Sequence, residues 1–369
     1  MQILRPDFSS RDELAALWAR CFPEDTPTQA QAYFKGFFNE GLAWCVKDKN
    51  RIIAMLQTVP YRLSIRGKPR EAKTFTGVCV HPEYRGRGVA GSLMRHAIAE
   101  AKEEGLPLFF LHTGSPEVYS GVGFADIVEV KRFLTSETKK PRTGESCRFR
   151  IAYETSPDSK ILQEMSAVYA EWTKPYNMHT LRDSAAFARL AAMEEIYSAK
   201  WFTARNAEGQ LAAYALVEYE INEILELVWS DTKAAKSLLE HLPGLLCTMP
   251  VDLGFAMATT PPPHKMARAV HLPALCEGLP AEADGEIILQ ITDPVFDSET
   301  WRFSAKGGRL SVLRLYKTAL DRTGSEHVEI TVATLTQWLT GYPTALPKNL
   351  EQKMLAMLPP KQNVMFEIM

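Results

Sequence analysis

Residues 85–92 read Arg-Gly-Arg-Gly-Val-Ala-Gly-Ser, and they follow Val78-Cys79-Val80 and the short polar link His81-Pro82-Glu83-Tyr84. From Val89 onward, Leu93, Ala97 and Ala101 recur every four residues on one face, so the spacing predicts a helix to about Glu104, stopped by Gly105 and Pro107. A strand, a loop rich in Gly and Arg, and a helix then follow one another. Such a loop presents unpaired backbone N–H groups and the positive end of the helix dipole, which together suit a pyrophosphate. The glycines remove the Cβ atoms that would block close approach. Arg85 and Arg87 add positive charge, useful for a ligand with several phosphates. An apolar strand from about Leu108 to His112 completes a β-α-β step.

The surroundings of this loop restrict what it can hold. Gly86, Gly88 and Gly91 also satisfy G-x-G-x-x-G, the dinucleotide fingerprint, but that site expects an acidic residue at the end of the following strand. The strand here ends Phe109-Phe110-Leu111-His112. What precedes the loop is different too. The β-rich runs Leu42 to Val46, Arg51 to Val59, Tyr61 to Ile65 and Arg70 to Val80, with turn sequences at 47–50 and 66–69, predict an antiparallel meander. Ahead of it, Ser10 with Glu13 reads as a capping box for a helix that places Leu14, Leu17, Trp18 and Cys21 on one face.

The loop resembles the acetyl-CoA motif of the GNAT acetyltransferase superfamily, R/Q-x-x-G-x-G/A, filled here by Arg85, Gly88 and Ala90. A second signature of that family, Tyr-x-x-x-Gly-Phe, is matched by Tyr119 to Phe124, with Gly123 before the Phe, about thirty-five residues further on. The resemblance implies that acetyl-CoA is the cosubstrate. It places the backbone of Val78, Cys79 and Val80 along the pantetheine arm and the amides of Gly86, Arg87, Gly88, Val89, Ala90 and Gly91 around the pyrophosphate. Gly114 and Ser115, just past the next strand, would lie near the thioester.

Across its whole length the chain resembles the enhanced-intracellular-survival family, which implies an α+β fold. Tandem GNAT-like mixed sheets with helices would be followed by a C-terminal α/β domain like sterol carrier protein. The polar stretch Lys139 to Ser146 and the Gly- and Pro-containing stretch Glu277 to Gly285 place the boundaries. They give an acetyl-CoA-binding unit at 1–138, a degenerate GNAT-like unit at 147–283 and a sterol-carrier-like unit at 285–369. The second lacks an Arg-x-x-Gly-x-Gly after its strand Leu211 to Glu220. Trp301-Arg302-Phe303 in a strand and Leu335 to Leu339 with Gly341 fit the third.

Acetyl transfer to an amine needs a neutral amine to attack the thioester and a proton for the departing thiolate. Tyr119 matches the family's general acid. For the base, the resemblance implies the chain's own terminal carboxylate, here that of Met369, carried by the apolar tail Val364 to Met369. His81 and His112 flank the motif, but a lone His at a strand end is more often a satisfied structural residue. Glu24, Asp25, Glu40 and Glu367 are candidates to receive a cationic acceptor, against the commoner role of a solvated surface charge. Phe34, Phe37 and Phe38 sit at helical spacing, as core or as a pocket wall.

Composition sets the setting. The chain has 369 residues, 46% of them hydrophobic, enough for two or three cores. Its formal charge of −2 provides no basic field to attract nucleic acid or anionic lipid. Six scattered cysteines without a C-x-x-C pair indicate neither a zinc site nor a disulfide framework. With no signal-like or membrane-spanning run in the sequence, a cytoplasmic protein with no metal is expected. The expected function is an N-acetyltransferase acting by direct transfer in a ternary complex. The acceptor would be a small-molecule or lysine amine, and the resemblance implies aminoglycoside, polyamine or lysine acceptors and a homo-hexamer. The alternative is a non-catalytic acyl-CoA sensor or lipid binder.

Overall fold

The computed structural model describes residues 2–135, 149–316 and 328–366. Its first stretch runs β1 (Gln2–Leu4), α1 (Arg11–Cys21), α2 (Pro27–Phe37), β2 (Ala43–Asp48), β3 (Arg51–Ile65), β4 (Lys68–Val80), α3 (Val89–Glu103), β5 (Leu108–Thr113), α4 (Pro116–Ser120), β6 (Ala125–Asp126) and β7 (Lys131–Leu134). The second runs β8 (Arg150–Glu154), α5 (Ser159–Thr173), β9 (Met178–Thr180), α6 (Ser184–Ile196), β10 (Lys200–Arg205), β11 (Leu211–Glu218), β12 (Glu223–Trp229), α7 (Thr232–His241), β13 (Leu246–Met249), β14 (Ala256–Met257), β15 (His264–Ala269) and α8 (Leu272–Cys276). The last comprises β16 (Gly285–Thr292), β17 (Glu299–Lys306), β18 (Arg309–Leu315), β19 (Val328–Thr331), α9 (Val332–Thr340) and α10 (Glu351–Met357).

These strands form three sheets. The first has the order β1-β2-β3-β4-β5-β15-β6, with β9 added to β3, and the second has the order β14-β7-β13-β12-β11-β10-β8. Reversing the second shows the same plan: β8-β10-β11-β12-β13-β7-β14. In both, a helix crosses between one parallel pair, α3 between β4 and β5 and α7 between β12 and β13. Two strands are exchanged. β7, from the first stretch, sits beside β13, and β15, from the second, sits beside β5. The two sheets therefore do not follow two contiguous stretches of chain. The third sheet, β18-β17-β16-β19, is separate.

Local chemistry accounts for most of the first unit and corrects two expectations. Ser10 does precede α1, but its side chain makes no cap. Asp7 accepts from the Ser10 amide instead, and Glu13 accepts from the Ile52 amide at 2.6 Å, drawn away from the helix to the start of β3. The capping box belongs to α2, where Thr26 and Gln29 bond reciprocally and Pro27 opens the helix. The second correction concerns β3, which is one strand across Pro60 rather than two. Its outer neighbours are β2 up to Gln57 and β9 from Leu63, so Pro60 falls where only β4 flanks the strand. A residue without an N–H is tolerated at such an edge.

One face of the first sheet is covered by α1 and α2 through Leu14, Leu17, Trp18, Tyr33, Phe34 and Phe38, and the other by α3 through Leu93, Met94, Ala97, Ile98 and Ala101. A third core joins this sheet to the last unit, with Leu63, Ile65, Leu108 and Phe110 packed among Leu289, Phe303, Trp338 and Met354. Each such side chain contributes about 1.5–3 kcal/mol on burial. Polar staples fix the joint. Arg66, in the tight turn between β3 and β4, is buried and donates to the carbonyls of Trp338, Leu339 and Pro359, at the end of α9 and beyond. The tail is docked as well. The Asn177 amide donates to the Gln362 carbonyl at 2.8 Å, the Val364 amide to Met178 at 2.9 Å, and Phe366 packs on Trp172.

Candidate active site

The loop between β4 and α3 takes the form that an anion site requires. Gly86 and Gly88 both hold left-handed backbone, at φ +73° and +72°, with Gly88 as the residue before the helix. A Cβ on either would meet nothing within 4 Å, so glycine is needed here for conformation and not for room. The first-turn amides of α3 have no acceptor within the helix and face this loop. Arg85 Nε donates to the Val80 carbonyl at 3.1 Å, and Arg87 donates to the Glu83 carbonyl at 2.9 Å while lying over the Tyr84 ring. Both guanidinium groups are thus held beside the loop, on exposed residues.

Next to the loop the sheet opens. β4 and β5 pair only over Ala72–Thr74 and Leu108–Phe110, and beyond that the ladder stops. The register on the other side of β4 shifts: Met55 faces Cys79 and Gln57 faces Thr76, so Leu56 stands opposite both Gly77 and Val78. This is a β-bulge. Gly77 has φ +59°, and a Cβ there would lie 2.3 Å from the Trp18 ring, so both conformation and the α1 packing demand glycine. The bulge bends β4 away from β5 and leaves the Val78–Val80 backbone along a gap between the two strands. Gly114 and Ser115 follow the far end of β5 and are exposed. Val78, Val80, Ala90 and Tyr119 all pack on the α3-side core. Cys79 faces the α1 side instead.

Tyr119 sits on α4, edge-on to Phe124 at 6.0 Å, and burial pushes its phenol up to about 12. It therefore stays protonated at neutral pH and is able to donate. The two histidines near the motif have other work. His81 is buried with Nε2 between Arg20 at 3.0 Å and Arg51 at 2.5 Å, and burial and the Arg51 charge hold it below the ordinary imidazole range. His112 accepts from Lys265 at 3.1 Å, and burial with that ammonium pushes it down to about 2. Glu40 accepts from the Phe8 amide at 2.5 Å and holds the N-terminal turn. Glu24 is exposed, and Glu367 and Met369 lie outside the described residues. Phe34 and Phe38 are core, with Phe37 half-buried and stacked on Tyr33.

Asp25, one of the sequence candidates for a cationic acceptor, belongs to a group of carboxylates at the junction of the first two units whose other members the sequence did not indicate. Asp25, between α1 and α2, accepts from Trp18 Nε1 at 2.5 Å, and burial raises it above the usual carboxylate range. From the other unit, Glu194 and Tyr197 at the end of α6 and Glu218 at the end of β11 come to meet it. Burial, with Glu218 and Glu226 nearby, pushes Glu194 up to about 8, and burial with Glu220 and Asp25 pushes Glu218 up to about 7. Tyr197 is pushed far up by burial and by Asp25, Tyr33, Glu194 and Glu218. Tyr33 lies near Thr76, beside the bulge, and the Thr76 hydroxyl is buried and unpaired among the described residues. Gln57, the cross-strand partner of Thr76, is buried on this face with its amide nitrogen unpaired among the described residues. The cluster thus lies across β4 from the gap. No local spacing announces it, because its members come from three separated segments.

The second sheet lacks the corresponding site. Between β12 and α7 the chain reads Ser230-Asp231, and the Asp231 side chain caps the helix by accepting from Lys233 at 2.8 Å. A carboxylate there repels a phosphate.

Residues 7–127 match the profile of the acetyltransferase (GNAT) domain family. Solved structures share the architecture over the whole chain. A conserved protein from Enterococcus faecalis V583, designated a probable N-acyltransferase, superposes with a TM-score of 0.79 at 16% identity, covering 100% of this chain and 99% of its own. A GCN5-related N-acetyltransferase from Anabaena variabilis gives 0.75 at 15% identity, covering 100% of both chains. Eis1 from Mycobacterium abscessus gives 0.67 at 13%, again covering 100% of both. At these identities the likeness is one of fold. No curated protein sequence matches the chain. The glycine loop, the opened strand pair and the profile match coincide in one segment, and the protein is accordingly an acyltransferase enzyme that carries an acetyltransferase (GNAT) domain in residues 7–127.

Proposed function

We propose that the protein moves the acetyl group of acetyl-CoA directly to a cationic amine while both are bound. The observation that carries this reading is the joining of a left-handed glycine loop at a helix N-terminus to a strand pair opened by a bulge, with a protonated tyrosine on the same core. Acetyl-CoA supplies the thioester. The amides from Gly86 to Gly91, with Arg85 and Arg87, hold its pyrophosphate, the Val78–Val80 backbone follows the pantetheine, and Gly114 and Ser115 lie towards the thioester. Tyr119 donates its proton to the departing thiolate. Its raised pKa makes donation uphill in isolation but favourable as charge develops on sulfur in a poorly solvated gap.

The carboxylates Asp25, Glu194 and Glu218 support a cationic acceptor, such as a polyamine, an aminoglycoside or a lysine side chain. Ammonium binding would return Glu194 and Glu218 to their charged forms. For the base the terminal carboxylate of Met369 is the candidate, supported by a tail that is buried through Phe366. The same reading takes 1–138, 147–283 and 285–369 as three units, the third sterol-carrier-like, in a cytoplasmic hexamer. Release of free thiol from acetyl-CoA with a panel of amines tests the proposal. Diamines and aminoglycosides should release CoA and neutral or anionic amines should not; binding of acetyl-CoA without release by any amine would favour an acyl-CoA sensor.

A further inference from the structure

Cys79 points to the opposite side of β4 from Val78 and Val80, into the cluster formed by Leu14, Leu17 and Trp18 under α1. Cys21, the last residue of α1, packs on the same cluster, so the two thiols lie on one side of β4, close enough to interact. Cys21 Sγ is also 3.5 Å from the Val80 carbonyl, the group that Arg85 Nε reaches at 3.1 Å. Cys79 is buried and Cys21 half-buried, so Cys21 is the more accessible of the two. The other described cysteines, Cys45, Cys247 and Cys276, are all buried, and burial raises each thiol, that of Cys45 to about 11.

The pair is electrically asymmetric. The neighbouring Cys79 thiol, outweighing burial, and the nearby Arg85 and Arg20 pull the Cys21 thiol down, and the same neighbourhood pushes Cys79 up. Cys21 is therefore the described cysteine with the greatest tendency to form the thiolate, the form that reacts with peroxides and disulfides.

We propose that Cys21 and Cys79 are an oxidation site that closes to a reversible disulfide, and that its closure weakens acetyl-CoA binding. The Cys21 thiolate attacks one oxygen of a hydroperoxide; the O–O bond breaks, and the sulfur becomes a sulfenic acid while the other oxygen leaves as water or alcohol. The Cys79 thiol then attacks that sulfur, its proton leaves with the hydroxyl as water, and the S–S bond forms. With hydrogen peroxide as oxidant, two thiols give one disulfide and two waters. The bond, about 2.05 Å long, replaces a looser non-bonded contact and draws β4 towards α1. Val78 and Val80 flank the moved residue, and Arg85 is tied to Val80, so the cofactor gap changes shape. The effect on acetyl-CoA rests on the acetyltransferase reading. The disulfide does not.

The test uses the full-length protein with Cys147→Ser, treated with hydrogen peroxide, alkylated and digested without reduction. A peptide pair linked through Cys21 and Cys79, lost on adding dithiothreitol, is expected. Cys79→Ser should leave a Cys21 sulfenic acid that dimedone traps, and Cys21→Ser should yield neither product. Absence of the linked pair with Cys21 still reduced overturns the proposal, as does preferential oxidation of Cys45, Cys247 or Cys276. Calorimetry then reads the consequence: the oxidised protein should bind acetyl-CoA about threefold or more weakly, an effect absent in Cys21→Ser. Equal affinity with the disulfide formed overturns the regulatory role. Failure of the reduced protein to bind acetyl-CoA would instead refute the cofactor site.

Discussion

Gly88 and Gly91 belong to the same motif, yet the structure assigns them different sensitivities. Gly88 has φ +72°, and a Cβ added there meets nothing within 4 Å. Gly88→Ala therefore introduces no clash, and its whole penalty is the left-handed backbone, about 1–2 kcal/mol for a residue with a Cβ. Because the loop is exposed and nothing packs on that position, the free protein escapes most of the strain by relaxing the loop. Binding must then restore it. The Kd for acetyl-CoA should rise about tenfold, since about 1.4 kcal/mol is a factor of ten, with little change in the urea midpoint. Gly91 lies in the first turn of α3, where its added Cβ would sit 3.4 Å from the flexible guanidinium of Arg95. Gly91→Ala should gain up to about 1 kcal/mol of helix propensity and change Kd by less than about twofold. Isothermal calorimetry with acetyl-CoA and urea unfolding measure both variants. Equal weakening of binding by the two would show that closeness of approach, and not backbone conformation, fixes these glycines.

Tyr119→Phe should lower kcat by about 10²–10⁴ with the KM for acetyl-CoA nearly unchanged. With the phenol pushed up to about 12, wild-type kcat should show no loss of acid as pH rises past the ordinary tyrosine value near 10; a fall below that pH would contradict the assignment. Glu194 is neutral in the folded protein until about pH 8, whereas its unfolded form ionises near 4.3, so folding stability falls as pH rises between those values. Urea unfolding of Glu194→Gln should show a smaller fall, by a few kcal/mol at most, between about pH 5 and pH 8. Glu218→Gln should raise the KM of a diamine about tenfold at pH 8 and less at pH 6, where the wild-type carboxyl, at about 7, is already mostly protonated; steady-state kinetics at the two pH values decides this.

The parts of the site that could be read from sequence are those made by neighbours in the chain. Val78 to Ser92 announces strand, loop and helix because the glycines, the arginines and the four-residue apolar repeat all lie within one short window, and α3 ends at Glu103 beside the expected Glu104. The Tyr119 to Phe124 signature is legible for the same reason. The bulge was not, since it depends on Leu56 in the facing strand and on Trp18 lying over Gly77. The exchange of β7 and β15 was equally invisible, because only long-range pairing decides which sheet a short strand joins. Ser10 with Glu13 showed the letters of a capping box, but the Ile52 amide competed for the carboxylate and won. Nothing in the sequence singles out Glu194 and Glu218, because burial by another unit leaves no local trace.

The proposed function requires the first sheet, and not its copy, to hold the cofactor. Amide hydrogen exchange of the protein with and without CoA reads this directly. Protection should appear in residues 78–91 and around Gly114 and Ser115, while the counterpart segment from β12 into α7 exchanges at an unchanged rate. Protection centred on Ser230 to Lys233, or none at the β4–α3 loop at saturating CoA, would contradict it.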